Sequence, residues 1–191
     1  MLALKEEHLP NYTYDDYVLW EGRWELIGGI AYSMSSGGDT NAMAPAPTVT
    51  HQEINGNILV ALKTALKKCK SCKALPEVDW QVSENTVVQP DTLVVCNLLK
   101  RGAYISQTPS IIFEVLSPST KKKDRNLKYH LYASEGVKYY IMVDPAGMFA
   151  EVYKLDGTIY RLEGEFKDET YTFDIEECNF DFSFEEVFDL D

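Results

Sequence analysis

Several features are scarce in this sequence of 191 residues, and each absence excludes a class of protein. No run of about 18 consecutive apolar residues occurs, so the sequence predicts no membrane-spanning helix. Residues 1–8 lack the basic start and apolar core of a secretory signal, so we expect a cytoplasmic protein. Internal repeats and long linkers are also absent, and 45% of the residues are apolar, which favours one soluble domain over 1–191.

Cysteine is limited to four residues, of which Cys69 and Cys72 form a C-x-x-C motif. The other two, Cys96 and Cys178, are far apart, so the second close pair that a tetrahedral zinc site usually needs is missing. Lysines surround the motif, a composition typical of the frayed end of a basic helix. We therefore expect neither a zinc site nor, in a reducing compartment, a disulfide.

Positive charge is also in deficit, because 18 basic residues face 30 acidic ones and the formal net charge is −12. The acidity is concentrated in residues 163–191, which hold twelve acidic residues and one lysine and leave residues 1–162 nearly neutral. Two basic clusters, at 63–73 and 121–128, are candidates for phosphate contacts or are solvated helix faces. The acidic tail is rich in phenylalanine, so we expect a packed extension that repels DNA.

Helical and strand-like patterns alternate along the chain and predict a mixed α/β fold. A short helix is predicted over 12–20 with Thr13 as its N-cap, and a hairpin follows over 23–34. Thr50 with Glu53 forms a capping box for a helix that continues to about residue 68. Strands are predicted at 77–83, 86–89, 92–96, 110–116, 137–143, 149–155 and 158–162, and a second long helix at 120–135. The predicted fold is a central mixed β-sheet flanked by helices, with an N-terminal hairpin and a C-terminal β extension.

Two carboxylates occupy unusual positions. Asp91 follows Pro90 and opens the apolar run 92–96, and Glu114 lies inside the most apolar strand of the chain. An unpaired carboxylate is costly to bury, so a buried one is normally protonated, paired with a base or bound to a metal. If the two strands are neighbours, both carboxylates meet at one end of the sheet, where Mg²⁺ or Mn²⁺ would relieve their repulsion. Salt bridges to nearby lysine or arginine are the alternative.

A wider set of residues resembles the Uma-two family, which belongs to the restriction-endonuclease-like PD-(D/E)XK nuclease superfamily. The resemblance covers about residues 12 to 160 and rests on Glu25-Leu26-Ile27, His51, Pro90-Asp91, the string from Phe113 to Thr120, Asp124-Arg125, Lys128, Tyr132, Gly136-Val137 and Val143-Asp144-Pro145. It implies a restriction-endonuclease-like core and an Mg²⁺-dependent endonuclease that hydrolyses phosphodiester bonds in DNA.

The resemblance also implies roles for individual residues. Asp91 and Glu114 match the acidic metal ligands, with the backbone carbonyl of Val115 as a further ligand. The superfamily has a lysine two residues after the second acid, where this chain has Leu116. Lys128 on the following helix is the expected replacement, to orient the attacking water or neutralise charge on the phosphate. Asp124, Lys128 and Tyr132 share one helical stripe, so a surface pair between Asp124 and Lys128 is the alternative.

Three secondary candidates are Glu25, His51 and Asp124. His51 either contacts phosphate or shapes the site, or it serves as a local hydrogen-bonding group at a helix start. Glu25 is either a third metal ligand or a partner of Arg23 or a lysine. The other expected nucleic-acid contacts come from Lys121, Lys122, Lys123 and Arg125.

Two departures from the family pattern leave a second function open. Leu116 replaces the superfamily lysine, and Gly29-Ile30 stands where many relatives have Gly-Glu. A catalytically degenerate protein that binds nucleic acid or a protein partner is therefore the alternative to a nuclease. Analogy with restriction enzymes, which cut both strands of a duplex, favours a homodimer.

Overall fold

The computed structural model describes residues 10–34, 47–99, 102–117, 124–175 and 178–190. The helices are α1 (Tyr14–Tyr17), α2 (Val49–Ala65) and α3 (Tyr129–Ser134), with 3₁₀ turns at Leu66–Lys68 and Glu185–Val187 and a π-helical turn at Asp124–Lys128. The strands are β1 (Trp24–Ile27), β2 (Ile30–Ser33), β3 (Cys72–Pro76), β4 (Asp79–Ser83), β5 (Thr86–Val88), β6 (Thr92–Cys96), β7 (Tyr104–Ile105), β8 (Ile111–Val115), β9 (Tyr139–Asp144), β10 (Phe149–Asp156), β11 (Ile159–Phe166), β12 (Thr170–Ile175) and β13 (Cys178–Ser183).

A six-stranded sheet with the order β11-β10-β9-β8-β6-β3 forms the centre of the described structure. The sheet is mixed, because β8 and β9 are parallel and the other neighbours are antiparallel. A second sheet has the order β2-β1-β5-β4-β7, and β12 pairs with β13 as a C-terminal hairpin. The predicted fold class is therefore confirmed.

The two faces of the central sheet have different covers. Phe113 and Val115 of β8 share a hydrophobic cluster with α2 and the C-terminal hairpin. Ile112 belongs to a separate cluster that includes residues of α3 and the second sheet. Since successive side chains of a strand alternate between faces, Glu114 faces this second cluster. The central sheet thus presents Glu114 to the side from which Lys128 approaches.

The acidic C-terminal extension packs against the core, as predicted. Phe173, Phe182 and Phe184 are fully enclosed in the cluster that contains α2. The side-chain amide of Asn57 on α2 donates to the carbonyl of Asp189 at 2.8 Å. The phenylalanines therefore fix the extension to α2, while Asp174 and Asp181 alternate to the exposed side of the hairpin.

The start of α2 differs from the predicted one. Its N-cap is Thr48, whose hydroxyl accepts a hydrogen bond from the amide of His51 at 3.2 Å, whereas Thr50 lies inside the first turn. The predicted capping box was wrong. Thr48 and Thr50 both precede the apolar pattern of the helix, and Thr48 is the cap because its backbone is extended. The first helix is also shorter than expected, at Tyr14–Tyr17.

Strand β3 replaces the predicted helix end around the C-x-x-C motif. It pairs antiparallel with β6 and places Cys72 directly opposite Cys96. The structure joins these two cysteines in a disulfide and joins Cys69 to Cys178 in another. The sequence predicts no disulfide in a reducing compartment, and the structure differs because strand pairing and the packed C-terminal hairpin bring together cysteines distant in sequence.

Candidate active site

Asp91 lies at the entrance to β6, next to the end of β8. The two strands are antiparallel neighbours with Thr92 opposite Phe113, as the convergence of the two carboxylates requires. The amide of Val115 donates to Asp91 Oδ2 at 2.8 Å. Asp91 is therefore held against the backbone of the residue that follows Glu114.

The N-terminal end of α2 approaches Asp91. Nε2 of His51 lies 3.4 Å from Asp91 Oδ2, and both side chains are 12% exposed. One turn further along α2, the Asn55 side chain donates to the Asp91 carbonyl at 3.3 Å and accepts from the Thr92 hydroxyl at 2.7 Å. These buried hydrogen bonds fix the register between α2 and the start of β6.

The electrostatic environment of His51 favours its charged form. Burial lowers the pKa of His51, but the Asp91 carboxylate and the Val115 carbonyl more than offset that effect, so the pKa is raised overall. Nδ1 is buried and has no hydrogen-bond partner within the described ranges. Nε2 is therefore the nitrogen through which His51 interacts with the site.

Lys128 forms the second half of the site and connects two buried carboxylates. Its Nζ lies 2.8 Å from Glu114 Oε1 and 2.9 Å from Glu25 Oε1, with side-chain exposures of 4% and 0% for the two acids and 2% for the lysine. The hydroxyl of Tyr132 donates to Glu114 Oε1 at 2.8 Å, and the backbone amide of Gln89 donates to Glu25 Oε1 at 3.1 Å. Every charge in this cluster is thus met by an opposite charge or a hydrogen-bond donor.

The contacts of Lys128 decide between two of the interpretations made from the sequence. The lysine reaches Glu114 and Glu25 rather than the protein surface, so a surface pair is excluded, while the side chain of Asp124 lies outside the described part. Glu25 is the partner of a lysine, which was one of its two expected roles. Leu116 is only 5% exposed and packs in the hydrophobic cluster of the second face.

An additional carboxylate lies near Glu25. Asp79 Oδ2 accepts from the Tyr17 hydroxyl at 3.1 Å, and its Oδ1 accepts from the Gln89 side chain at 3.3 Å. Burial raises the pKa of Asp79, the two hydrogen bonds lower it, and the negative charge of Glu25 raises it further. The shift is upward overall, so this part of the site stabilises the neutral acid.

Of the four residues expected to contact nucleic acid, Arg125 lies within the described part of the chain. Lys121, Lys122 and Lys123 lie outside the described residues. Arg125 forms an ion pair with Glu151 on β10, at 2.7 Å between Nη2 and Oε2. This pair holds the guanidinium against the central sheet.

Sequence reasoning overlooked the roles of Tyr132 and Asn55. Tyr132 lies four residues after Lys128, and Asn55 lies four residues after His51. Residues at this spacing share one helix face, so each was the natural candidate to support the functional residue before it. Both side chains make buried hydrogen bonds, to Glu114 and to the backbone of Asp91.

Comparison with known proteins assigns the family. A family model described as Uma2, a putative restriction endonuclease, matches residues 14–178. The chain belongs to the Uma2 family. A crystal structure of a protein from Anabaena variabilis, described as a putative nuclease belonging to DUF820, matches 93% of this chain and 97% of its own, with a TM-score of 0.70. The identity is 16%, so this likeness shows the shared fold, and no curated protein matches. Family and fold together support a nuclease acting on nucleic acid.

A Uma2 nuclease implies a divalent cation, and the charge of the site fits one. Asp91, Glu25 and Glu114 carry three negative charges against the single positive charge of Lys128, so the formal charge is −2 with neutral His51 and −1 with charged His51. No group of three or more His, Cys, Asp or Glu side chains within the described ranges is close enough to hold a metal by itself. The Uma2 site therefore consists of two adjacent groups: Asp91 with His51, and Lys128 with its two acids and Tyr132.

None of the helices in the described ranges is long and apolar enough to cross a bilayer.

Proposed function

We propose that this protein is an endonuclease that uses Mg²⁺ or Mn²⁺ to hydrolyse phosphodiester bonds in DNA. The observation that carries the proposal is the contact of 2.8 Å between Lys128 Nζ and Glu114 Oε1. The superfamily places a lysine two residues after the second acid, and Leu116 stands there in this chain. Lys128 supplies an ammonium group beside the same carboxylate from a neighbouring helical turn, so the sequence departure does not remove the lysine from the site.

Asp91, Glu114 and the backbone carbonyl of Val115 are the proposed holders of the cation. The Val115 amide orients the Asp91 carboxylate by donating to Oδ2, and this oriented carboxylate would offer an oxygen to a cation. When bound, a divalent cation polarises the scissile phosphate and lowers the pKa of the attacking water. Oxygen ligands of this kind suit Mg²⁺ and Mn²⁺.

Lys128 is the proposed electrostatic catalyst. Its ammonium group is fixed by Glu25 and Glu114 before any substrate arrives, so no reorganisation is needed when charge develops on the phosphate. Tyr132 holds the same oxygen of Glu114 that Lys128 contacts. Glu25 is therefore a positioning residue for the lysine.

Cleavage of supercoiled plasmid DNA tests this proposal. The wild-type protein is incubated with Mg²⁺, Mn²⁺ or EDTA beside Asp91→Asn, Glu114→Gln and Lys128→Met, with the exposed Glu53→Gln as a matched control. We expect metal-dependent nicking that falls at least about 100-fold in the three site variants and is unchanged in the control. Lack of cleavage by the wild type with either metal, or wild-type rates in Asp91→Asn, would contradict the proposal.

A nucleic-acid-binding protein without nuclease activity is the second candidate. It is favoured by the lack of a converged group of three metal-ligating side chains in the described part of the chain. Such a protein would bind DNA with a strong dependence on salt, since phosphate contacts release counterions, but would leave plasmid intact with every metal. A protein-interaction module would show neither cleavage nor salt-dependent binding.

We also propose that residues 1–191 form one domain that assembles as a homodimer to cut both strands. Sedimentation equilibrium of the intact chain, alone and with a short duplex, should give the mass of two copies. A single copy under both conditions would contradict this assembly.

The cytoplasmic location expected from the sequence is likewise a proposal. The cytoplasm keeps thiols reduced, so Cys72 with Cys96 and Cys69 with Cys178 would be neighbouring thiols there. Alkylation of free thiols at the moment of cell lysis, followed by mass measurement, should find all four cysteines modified. Two intact disulfides would contradict a reducing location.

A further inference from the structure

We infer that His51 is a direct ligand of the divalent cation through Nε2, which makes the site a mixed nitrogen and oxygen site. The inference rests on the proposed cation dependence and adds a ligand to it. Two side-chain donors meet at this point, the Asp91 carboxylate and the His51 imidazole, beside the backbone of Val115, whose amide holds the carboxylate. A cation bound by Nε2 would replace the proton that this nitrogen presents to Asp91.

The distance between the donors fits two ligands of one metal ion. Nε2 of His51 lies 3.4 Å from Asp91 Oδ2. Two adjacent ligands at about 2.0–2.2 Å from one ion lie about 3.0 Å apart in octahedral geometry and about 3.4 Å apart in tetrahedral geometry. The two side chains therefore need to move by at most a few tenths of an ångström to share a cation.

The surroundings hold His51 in this position. The Thr48 cap binds the amide of His51, and Asn55 joins the next turn of α2 to the backbone of Asp91 and the side chain of Thr92. Both His51 and Asp91 remain 12% exposed, so a cation from solvent can reach them. The Lys128 side chain, by contrast, is only 2% exposed.

A nitrogen ligand changes which cations the site prefers. Mg²⁺ favours oxygen ligands, whereas imidazole binds transition metals well, and affinity among those rises from Mn²⁺ to Co²⁺. With His51 as a ligand the site should prefer Mn²⁺ and Co²⁺ to Mg²⁺. With oxygen ligands alone it should discriminate less.

Pulsed electron paramagnetic resonance of bound Mn²⁺ tests the inference without measuring activity. The intact protein has three histidines, His8, His51 and His130, so the His8→Gln/His130→Gln double variant keeps only His51. We expect ¹⁴N coupling to Mn²⁺ in the wild type and in this double variant, and its replacement by ¹⁵N coupling when histidine is ¹⁵N-labelled. His51→Gln should lose the coupling and bind Mn²⁺ more than about tenfold more weakly.

The outcomes separate this inference from the proposed function. Bound Mn²⁺ without histidine coupling, or coupling lost in the His8→Gln/His130→Gln variant, would overturn the role of His51 and leave a cation-dependent nuclease intact. The lack of Mn²⁺ binding to the wild type would overturn both.

Calorimetry gives a second measurement: the ratio of Mg²⁺ to Mn²⁺ dissociation constants should fall in His51→Gln and stay unchanged in the exposed His130→Gln. An unchanged ratio in His51→Gln would contradict the nitrogen ligand.

Discussion

Two groups of charged side chains lie where β6 begins and β8 ends, and they differ in how completely the protein encloses them. Lys128, Glu25 and Glu114 are almost fully buried, and Tyr132 and Gln89 donate to the two acids. Asp91 and His51 are also mostly buried, but each keeps 12% of its side-chain surface exposed. The charges of the first group are satisfied inside the protein, whereas those of the second remain accessible.

The difference assigns separate tasks to the two groups. A buried ion pair is strongly destabilised when one partner is removed, because the remaining charge is left without compensation. An ion pair that keeps contact with water loses less when one partner is removed, because water can solvate the remaining charge. Lys128 and Glu25 should therefore govern stability and the position of the catalytic ammonium group, whereas Asp91 and His51, together with Glu114, should govern cation binding.

The largest expected effect on stability comes from Lys128→Met. This change leaves Glu25 and Glu114 buried without their ammonium partner, so the free energy of unfolding should fall by about 3–5 kcal/mol. Urea unfolding measures it, with the exposed Lys63→Met on α2 as a control that should change by less than about 0.5 kcal/mol. A loss below about 1 kcal/mol would mean that the cluster contributes little to folding.

A smaller effect is expected from Tyr132→Phe, which removes the hydrogen bond to Glu114 and keeps the packing. Hydrogen bonds to charged groups contribute about 1.5–3 kcal/mol, so unfolding should require that much less free energy. Tyr129→Phe is the matched control, since its hydroxyl donates at 3.1 Å to the uncharged carbonyl of Tyr160 and should cost about 1 kcal/mol. Equal losses of unfolding free energy in the two variants would show that the charge of Glu114 does not strengthen its hydrogen bond with Tyr132.

The smallest expected effect concerns the pH dependence of stability at Asp79. Because its pKa is raised on folding, the folded protein holds this proton more tightly than the unfolded chain does. Its contribution is therefore present at low pH and is lost as the pH rises from the unfolded pKa, near 3.8, through the folded one. Urea midpoints between about pH 3.5 and 7 should fall less with rising pH in Asp79→Asn than in the wild type. An exposed control, Asp15→Asn, should follow the wild-type curve, and identical curves for Asp79→Asn would contradict the prediction.

Much of the fold was predictable because its signals are local. The apolar run around Phe113, the turn at Gly28-Gly29 and the helical spacing of Ile54, Ile58 and Leu62 each specify one element and its buried side. Strand β3 was missed because its lysines resemble those of the preceding helix, and its pairing with β6 depends on residues about 20 positions away.

The site was predictable in its residues and less so in its pairing. Asp91 and Glu114 stood out as carboxylates in apolar strands, and their strands are neighbours. The partnership of Lys128 with Glu25 joins a helical turn to a strand of the second sheet, about 100 residues earlier, and no local pattern encodes such a contact. The spacing of four residues that links His51 to Asn55 and Lys128 to Tyr132 was present in the sequence and could have indicated both supporting residues.

Calorimetric titration of Mn²⁺ into Asp91→Asn and Glu25→Gln tests the division of tasks most directly. Both variants remove one negative charge from the same end of the sheet, so a general electrostatic effect would weaken binding similarly in the two. We expect a loss of Mn²⁺ affinity of more than about 100-fold in Asp91→Asn, which removes a direct ligand, and of less than about tenfold in Glu25→Gln. Equal losses, or a larger loss in Glu25→Gln, would contradict the assignment of the cation to Asp91 and of Glu25 to Lys128.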